Sequence, residues 1–253
     1  METSKLRILS VYEALDGEAN AFHQGSWTVF VRTAGCSVGC QWCDTMYSWS
    51  FKRGKEYTPQ ELVGVIAQVG AAKKITLTGG EPLEQPHDAV MQLLQYLLYR
   101  KYKITIETAG TEPVGWLKQL SPDVALVLDF KLPSSKVKKH MILDNFTGLD
   151  ERHVVKFVVA DEDDYQSMIS VARILRRDQR CEARFVMSPL NRVVAGKHIH
   201  DSVCTLEEWV EKMKRDRLSS LDIGLNLQLH KIIYPHNARS EEDGGVDFSS
   251  VHK

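Results

Sequence analysis

The sequence predicts an α/β protein, an open or partial (β/α) barrel built on a mostly parallel sheet. Strand-like and helix-like segments alternate along most of the 253 residues, and this alternation is typical of parallel strands joined by crossover helices. The strand-like segments are fewer than the eight that close a complete barrel. Residues 1–235 are expected to form one domain, and the polar residues 236–253 are expected to form a disordered tail.

Apolar runs and helix caps place the elements in chain order. Residues 27–33 form the first predicted strand. A helix is predicted to run to about residue 69, because Thr58 can cap it, Pro59 suits its first turn, and Glu61 can bond back to the cap. Further strands are predicted over residues 74–78, 103–108, 124–130, 153–159 and 183–187. Further helices are predicted over residues 88–100 with Asp88 as cap, 114–120, 163–176 and 205–217, and residues 222–230 close the series.

Charge and hydropathy exclude several classes of function. The formal net charge is −1, so the chain has no overall basic field of the kind that attracts nucleic acid. The apolar runs are too short to span a bilayer, and residues 1–10 lack the apolar segment of a secretory signal. A cytoplasmic, reducing setting is therefore expected.

Three cysteines carry the strongest chemical signal. Cys36, Cys40 and Cys43 are spaced Cys-x3-Cys-x2-Cys, so one loop can offer thiolates to three corners of a [4Fe–4S] cube. Such clusters usually have four cysteine ligands, and a cluster with three keeps one iron open for another ligand. Structural zinc takes four closed ligands, and disulfides belong to oxidising compartments. The spacing favours an iron–sulfur site over zinc, with Cys181 and Cys204 as free thiols.

The candidate sites all fall at the carboxyl ends of predicted strands. Such ends meet at one edge of a parallel sheet, where ligands bind, so these segments are expected to lie together. They are the cysteine loop, Gly79-Gly80, Glu107-Thr108, residues 129–131 and Ser188-Pro189.

The cysteine loop resembles that of the radical S-adenosylmethionine (SAM) superfamily, in which an aromatic residue, here Trp42, precedes the third cysteine. A second motif, residues 78–82 with the sequence Thr-Gly-Gly-Glu-Pro, follows the next predicted strand, as in that superfamily. The resemblance implies a [4Fe–4S] cluster whose open iron binds SAM. It also implies that the glycine-rich segment and its acid hold the SAM amino group, and that one electron cleaves SAM to a 5′-deoxyadenosyl radical.

Further segments resemble the 7-carboxy-7-deazaguanine synthase family. They are residues 15–18, 30–36, 42–45, 106–111, 131–135 and 227–231. The resemblance implies a carbon–nitrogen lyase that converts 6-carboxy-5,6,7,8-tetrahydropterin to 7-carboxy-7-deazaguanine with release of ammonia, in 7-deazapurine (queuosine-type) biosynthesis. It also implies Mg²⁺, an electron donor such as flavodoxin, and a homodimer.

The same resemblance assigns roles to individual residues. Cys36, Cys40 and Cys43 are the implied cluster ligands, Thr45 is the implied Mg²⁺ ligand, and Arg32 is implied to act in catalysis by holding the substrate carboxylate. The implied SAM-binding positions are Trp42, Cys43, Asp44, Gly79, Gly80, Glu81, Asp129, Phe130, Lys131, Ser188, Pro189, Leu190 and Asn191. The implied substrate-binding positions are Leu15, Asp16, Gly17, Arg32, Thr78, His230 and Pro235.

Residue chemistry leaves two readings for several of these positions. The guanidinium of Arg32 can bind a carboxylate through two hydrogen bonds, or it can form a surface ion pair. Asp44 and Thr45 can serve ligands or form a local cap after the loop. Glu107 is either a ligand contact or a polar support of its strand, and a histidine such as His230 is more often structural than catalytic.

Three positions depart from the family pattern. Asp16 stands where many members have glutamine, which bears on substrate choice, and residues 129–131 and 188–191 match only in part. Two other functions stay open from the residues alone. One is a radical SAM activase of a glycyl-radical enzyme, which shares the cysteine spacing. The other is a non-enzymatic iron–sulfur or zinc module, which would not cleave SAM.

Overall fold

The computed structural model describes residues 4–194, 197–200 and 204–233. The strands are β1 (Leu6–Leu15), β2 (Trp27–Thr33), β3 (Lys55–Tyr57), β4 (Lys74–Gly79), β5 (Lys103–Thr108), β6 (Val124–Asp129), β7 (Val154–Val159), β8 (Arg184–Pro189), β9 (Asn191–Val194), β10 (Lys197–His200) and β11 (Ile223–Leu225). The helices are α1 (Pro59–Val69), α2 (His87–Tyr99), α3 (Glu162–Arg177), α4 (Leu206–Arg215) and α5 (Leu229–Ile233). Pro235 and the predicted tail, residues 236–253, lie outside the described residues.

Among the described residues, nine strands form one sheet in the order β11-β8-β7-β6-β5-β4-β2-β1-β3. From β11 to β2 all neighbours are parallel, whereas β1 is antiparallel to β2 and β3. The edges of the sheet are β3 and β11, and β9 and β10 form a separate hairpin. The predicted α/β class, a partial barrel with a mostly parallel sheet, is confirmed.

Side-chain alternation gives the sheet two different faces. Helices α1, α2 and α3 cover the outer face, where aliphatic and aromatic side chains of the strands and helices share one buried core. Burial of this apolar surface is the main term that holds the layers together. The inner face carries polar side chains at the alternate positions, namely Thr28, Arg32, Thr76, Thr78, Thr105, Glu107, Asp129, Lys156 and Ser188.

The loop between β1 and β2 closes the amino-terminal end of the inner face. Asn20 accepts a hydrogen bond on Oδ1 from Thr105 Oγ1 (3.0 Å), and its carbonyl oxygen accepts one from Arg184 Nη2 (2.8 Å). Ala19 of the same loop packs against Val127. The carboxyl-terminal end of the inner face is therefore where a ligand can enter.

Local signals predicted the helix starts well. The capping box of α1 pairs Thr58 with Glu61, and that of α4 pairs Thr205 with Glu208. Helix α2 differs, because it starts at His87 after Pro86 and not at a cap formed by Asp88. The fixed backbone angle of proline prepares the start of a helix without a side-chain cap.

Four other segments differ from their predictions. The helix predicted over residues 114–120 is wrong, because the segment forms successive short turns, with Leu117 N 2.9 Å from Val114 O. Gly115 and Pro122 leave too little uninterrupted chain for a regular helix there. Strands β1 and β3 were not predicted. Residues 222–230 contain the short strand β11 and, after a loop, the start of α5.

Candidate active site

The cysteine loop is fixed between the ends of β2 and β4. The backbone N–H of Gly80 donates to Thr33 O (3.0 Å), and that of Glu81 donates to Gly35 O (2.9 Å). A Cβ on Gly80 would overlap the carbonyl group of Gly35. Glycine is needed at position 80 because it lets the second motif dock directly on the cysteine loop.

The three thiols suit an iron–sulfur cluster. Cys40 is buried, Cys36 and Cys43 are half-buried, and none is in a disulfide. Burial raises the pKa of the Cys36 thiol to about 11 and also raises that of Cys40, so a bound cation is required to hold them as thiolates. Within the described ranges no three Cys, His, Asp or Glu side chains converge on one metal ion. A cube that takes each thiolate at a different iron needs no such convergence.

The sulfur of Cys43 has several hydrogen-bonding neighbours. Trp49 Nε1 donates to Cys43 Sγ at 3.3 Å. The backbone N–H of Thr45 donates at 3.4 Å, and the Thr45 hydroxyl lies 3.5 Å from the same sulfur. A sulfur in this setting is well suited to carry negative charge, because each donor stabilises the charge.

A polar row crosses three neighbouring strands beside the cysteine loop. Arg32 on β2 is in register with Thr78 on β4, and Thr78 Oγ1 donates to Glu107 Oε2 on β5 (2.7 Å). Arg32 Nη2 donates to the Tyr12 hydroxyl (3.4 Å), and Arg32 Cζ lies 6.0 Å from the ring centre of Tyr47. The other oxygen of Glu107 is buried without a hydrogen-bond partner among the described residues, and burial raises the pKa of Glu107 to about 7. This row can bind a polar ligand.

Side chains of alternating charge form a connected group on β6, on β7 and on the segments next to them. Lys131 Nζ lies 2.9 Å from Asp129 Oδ2, and Lys156 Nζ lies 3.6 Å from the same oxygen and 3.7 Å from Glu18 Oε2. Burial works to lower the pKa of Lys156, but the carboxylates of Glu18 and Asp129 outweigh it and raise that pKa. Lys131 Nζ also lies 5.1 Å from the ring centre of Trp42. Asp129 Oδ1 is buried and has no partner within the described part of the chain, so a ligand donor fits there.

The side chains of two predicted SAM-binding residues are buried and contact other residues of the protein. Phe130 is buried in the outer core, with its ring centre 5.2 Å from that of Phe146. The Glu81 side chain is also buried; it accepts hydrogen bonds from Thr108 Oγ1 and from the backbone N–H of Ala109, both at 2.7 Å. Burial raises the pKa of Glu81 to about 7 despite these donors.

The C-terminal described segment joins two other predicted sites. Lys231 Nζ lies 3.2 Å from Asp44 Oδ2. Desolvation by the surrounding protein opposes the charge on Asp44, whose side chain is 52% exposed, but Lys231 outweighs it and lowers the pKa of Asp44 to about 2. Leu229 N donates to Gly17 O (2.9 Å), and a Cβ on Gly17 would lie 2.7 Å from both the backbone N and the Nδ1 of His230. The structure thus brings Gly17 and His230 into direct contact.

Asp16 lies deeper than its neighbours in the predicted substrate segment of residues 15–17. Its side chain is fully buried, with Oδ2 3.2 Å from Lys74 Nζ and 3.0 Å from Thr76 Oγ1. Asn20 Nδ2 also donates to Asp16, and burial raises the pKa of Asp16. This carboxylate belongs to the polar network at the amino-terminal end of the inner face.

Sequence reasoning missed several residues of the site. Glu18 and Lys156 complete the group of alternating charges described above, and Asn226 donates through Nδ2 to Ser188 Oγ (2.7 Å). Lys156 is the only charged residue in β7, and such an isolated charge in an apolar strand was the available signal. Of the other predicted positions near Ser188, Pro189 ends β8, Leu190 is buried, and Asn191 begins β9.

The fold and this site define a radical SAM protein. The family model described as the Radical SAM superfamily matches residues 30–147, which include the cysteine loop and the glycine-rich motif. Membership of this superfamily entails SAM and a [4Fe–4S] cluster as cofactors. In the described residues, no helix is long and apolar enough to cross a membrane.

Curated relatives narrow the class. The chain is 30% identical over 237 residues to the 7-carboxy-7-deazaguanine synthase of Koribacter versatilis (strain Ellin345), with 90% of this chain and 97% of that protein covered. It is 33% identical over 240 residues to the synthase of Chlorobaculum tepidum, with 92% and 96% covered. The chain belongs to the 7-carboxy-7-deazaguanine synthase family.

Solved structures agree on the fold. The crystal structure of QueE from Escherichia coli is similar with a TM-score of 0.63 at 20% identity, and the match covers 87% of this chain and 92% of that one. The crystal structure of Streptococcus suis SuiB bound to S-adenosylmethionine is similar with a TM-score of 0.53 at 15% identity, and the match covers 83% of this chain and 52% of that one.

Proposed function

We propose that this chain is a lyase that converts 6-carboxy-5,6,7,8-tetrahydropterin to 7-carboxy-7-deazaguanine with release of ammonia, in 7-deazapurine (queuosine-type) biosynthesis. The observation that carries the proposal is the row of Arg32, Thr78 and Glu107 on adjacent strands beside the cysteine loop. A glycyl-radical activase or a simple iron–sulfur module gives no chemical reason for this row. The family membership described above supports the same reaction.

The row offers complementary groups to a carboxylated pterin. Arg32 carries a fixed positive charge and can bind the substrate carboxylate through two hydrogen bonds. Glu107 has one oxygen free of protein partners within the described residues and a pKa raised to about 7 by burial. It can therefore accept a hydrogen bond from a ring N–H or donate one to a ring nitrogen near neutral pH. Thr78 holds Glu107 in place.

The loop that precedes β2 supplies the other wall of the substrate site in this proposal. Gly17 and His230 are in contact, so the backbone of residues 15–17 and the His230 imidazole can address one ligand together. Asp16 anchors this segment at the amino-terminal end of the inner face through its contacts with Lys74 and Thr76. The charge of Asp16 therefore positions the backbone of residues 15–17 more than it acts on the pterin. That role is compatible with an aspartate at position 16. Pro235 is retained as a proposed contact from outside the described residues.

SAM binding is proposed at the remaining carboxyl ends. The groups that would hold it are Trp42, Cys43 and Asp44 in the cysteine loop, Gly79, Gly80 and Glu81 at the end of β4, Asp129, the backbone of Phe130 and Lys131 at the end of β6, and residues 188–191 at the end of β8. The unpartnered Asp129 Oδ1 supports this assignment. When bound, SAM and the reduced cluster supply the radical that removes a hydrogen atom from the substrate. The chain itself orients the substrate carboxylate through Arg32. The loop between β1 and β2 excludes water from the amino-terminal end of the inner face.

Thr45 is the proposed protein ligand of Mg²⁺. Its hydroxyl lies beside the Cys43 sulfur, at the boundary between the proposed SAM and substrate sites. Mg²⁺ usually completes its octahedron with water and substrate oxygens and takes few protein ligands, so a single threonine hydroxyl together with the substrate carboxylate is a compatible donor set.

Other features of the proposal follow from the family. We propose a homodimer, an electron donor such as flavodoxin, a cytoplasmic location, and a single domain formed by residues 1–235 and followed by a tail.

The proposal is tested by anaerobic reconstitution with iron and sulfide, followed by SAM, dithionite, Mg²⁺ and the tetrahydropterin. Mass spectrometry is expected to show 7-carboxy-7-deazaguanine with little net 5′-deoxyadenosine. Cys40→Ala should lose the cluster and all product, whereas Cys181→Ala, which removes a thiol in the outer core, should retain both. Accumulation of 5′-deoxyadenosine without the deazaguanine product would contradict the substrate and leave the radical chemistry in place.

A further inference from the structure

A carboxylate that follows the glycine-rich motif holds the turn between the first two cysteines of the cysteine loop. Glu84 is the last residue of the short turn Pro82–Glu84. Its two carboxylate oxygens accept hydrogen bonds from the backbone N–H of Ser37 at 3.1 Å and 3.0 Å, and one of them also accepts from the Ser37 hydroxyl at 2.6 Å. Ser37 directly follows Cys36, so Glu84 contacts the loop next to a cluster ligand.

This contact completes a series between the cysteine loop and residues 80–85. The backbone contacts of the glycine-rich motif, described above, fix the start of the loop. Gln85 Nε2 adds a buried hydrogen bond to Ala34 O at 2.8 Å. All of these contacts lie before Cys36 in the chain, whereas the contact of Glu84 lies after it. The backbone is therefore held on both sides of this ligand.

The turn itself fixes the position of Glu84. The backbone N–H of Glu84 donates to Glu81 O (3.1 Å), and the Glu81 side chain caps the same turn by accepting from Leu83 N (3.1 Å). Pro82 occupies the first position of the turn, where its ring restricts the backbone. Little backbone freedom remains to be lost when Glu84 contacts the loop.

The surroundings of Cys36 are also acidic. Burial is the main cause that raises the pKa of the Cys36 thiol to about 11, and the negative charges of Glu84 and Glu81 add to it. Cys40 differs, because the positive charge of Lys131 partly offsets its burial. Negative charge beside an iron–sulfur cluster favours the oxidised state, since the reduced state is the more negative. Glu84 is therefore placed to lower the midpoint potential of a bound cluster.

We propose that Glu84 is a positioning residue of the cluster site, whose carboxylate fixes the turn from Cys36 to Cys40 and whose charge lowers the midpoint potential of the cluster. The inference rests on the cluster of the proposed function and not on the proposed pterin substrate. A lower potential makes the electron that cleaves SAM more strongly reducing. The two effects can be separated, because the amide oxygen of a glutamine can accept the same hydrogen bonds without the charge.

The test is a potentiometric titration of the reconstituted cluster with dithionite, followed by electron paramagnetic resonance, without SAM or pterin. In Glu84→Gln the iron content should be unchanged. The equilibrium constant for reduction should rise about three- to tenfold, which is a shift of about 30–60 mV to higher potential at 59 mV per tenfold change. The shift should shrink as salt screens the charge. Glu84→Ala should show the same shift and should also release iron to a chelator several-fold faster.

The matched control is Glu151→Gln, which removes an exposed carboxylate just before β7, at the amino-terminal end of the strands. It should change neither the potential nor the rate of iron release. A potential that is equal in Glu84→Gln and the unmodified protein would overturn the proposal. Iron release that is equal in Glu84→Ala and the unmodified protein would also overturn it.

Two further outcomes are informative. Complete loss of the cluster in Glu84→Ala, with full retention in Glu84→Gln, would support the positioning effect, and the potential of Glu84→Gln would still decide the effect of the charge. Variants that show the expected potentials in a chain that forms no deazaguanine product would refute the proposed function and leave the role of Glu84 standing.

Discussion

The indole nitrogen of Trp49 lies 3.3 Å from Cys43 Sγ and donates a hydrogen bond to this cluster ligand. Trp49 is six positions after Cys43 in the chain. The contact forms because the turn over Met46–Ser48 brings Trp49 back against the cysteine loop. Hydrogen bonds to ligating sulfurs help to set the potentials of iron–sulfur clusters. A donor at this position stabilises the reduced cluster more than the oxidised one, because the reduced cluster is the more negative.

Replacement of Trp49 by Phe should therefore make the cluster harder to reduce. We expect the midpoint potential to fall by roughly 30–60 mV, since 59 mV is a tenfold change for a one-electron couple. A potentiometric titration followed by electron paramagnetic resonance measures it. Trp27→Phe, at an exposed site at the start of β2, is the control. A potential that does not move in Trp49→Phe would show that this hydrogen bond has no effect on the cluster.

Loss of Arg32 should weaken substrate binding without loss of the cofactors. Arg32→Ala removes a charged hydrogen-bonding partner, which typically costs about 1.5–3 kcal/mol, so the KM for the tetrahydropterin should rise by about 10- to 100-fold. Arg32→Lys should recover part of the loss, because it keeps the charge without the paired N–H groups. Iron content and SAM affinity should stay unchanged in both variants. A KM equal to that of the unmodified enzyme would exclude this role.

Glu107 should give the apoprotein a distinct pH dependence of stability. Burial raises its pKa in the folded state from 4.5 to about 7, so the folded state holds a proton that the unfolded state releases. Its destabilising effect is absent below about pH 4.5, grows as the pH rises, and is complete above about pH 7. The free energy of unfolding in urea should be measured at pH 5 and pH 8. Between these pH values it should fall less in Glu107→Gln than in the unmodified protein, by up to about 3 kcal/mol. Parallel pH profiles for the two proteins would contradict the raised pKa.

The buried pair of Asp16 and Lys74 should show strong coupling. Burial raises the pKa of Asp16 and lowers that of Lys74, so each group depends on the other to stay charged. Lys74→Met should reduce the free energy of unfolding by about 3 kcal/mol or more, because it leaves a buried carboxylate unpaired. Adding Asp16→Asn to Lys74→Met should restore part of that loss. Urea unfolding of both single variants and the double variant gives the coupling energy, and simple additivity would argue against the pair.

Gly80 should be essential for the position of the cysteine loop. Gly80→Ala places a methyl group where the Gly35 carbonyl lies, so the loop must move, and we expect the bound iron after reconstitution to fall by more than half. Gly64→Ala is the matched control, because nothing lies within 4 Å of a Cβ at that site in α1. That control should bind iron normally and gain roughly 0.5–1 kcal/mol of stability from the helix. Normal iron content in Gly80→Ala would contradict the close approach.

Local sequence signals predicted those elements that depend on local interactions. Helices α1 and α4 start at capping boxes that can be read directly from residues 58–61 and 205–208. Strand β1 was missed because it is stabilised by antiparallel pairing with β2 across an eleven-residue connection and with β3. Such pairing is decided by tertiary contacts, which leave little trace in local composition.

The residues of the candidate site divide in the same way, into those that local motifs predicted and those that tertiary contacts place. Motifs and the rule for carboxyl ends of strands predicted where the cysteine loop, the glycine pair and Asp129 would lie. The contact of Glu18 with Lys156 depends on how a loop folds back over β7, and no local pattern contains that information. Strand alternation explains why Phe130 turns into the outer core while Asp129 and Lys131 form an ion pair.

In the part of the chain that the structure describes, the two edge strands of the sheet, β3 and β11, are only three residues long. An edge strand exposes unpaired backbone groups that can recruit a strand from another molecule, and a short edge offers few of them. Copies of this chain therefore have little template for joining their sheets into a continuous ribbon. An assembly of two subunits is expected to use side-chain contacts between helices or loops, and the folded protein should resist polymerisation through its sheet margins.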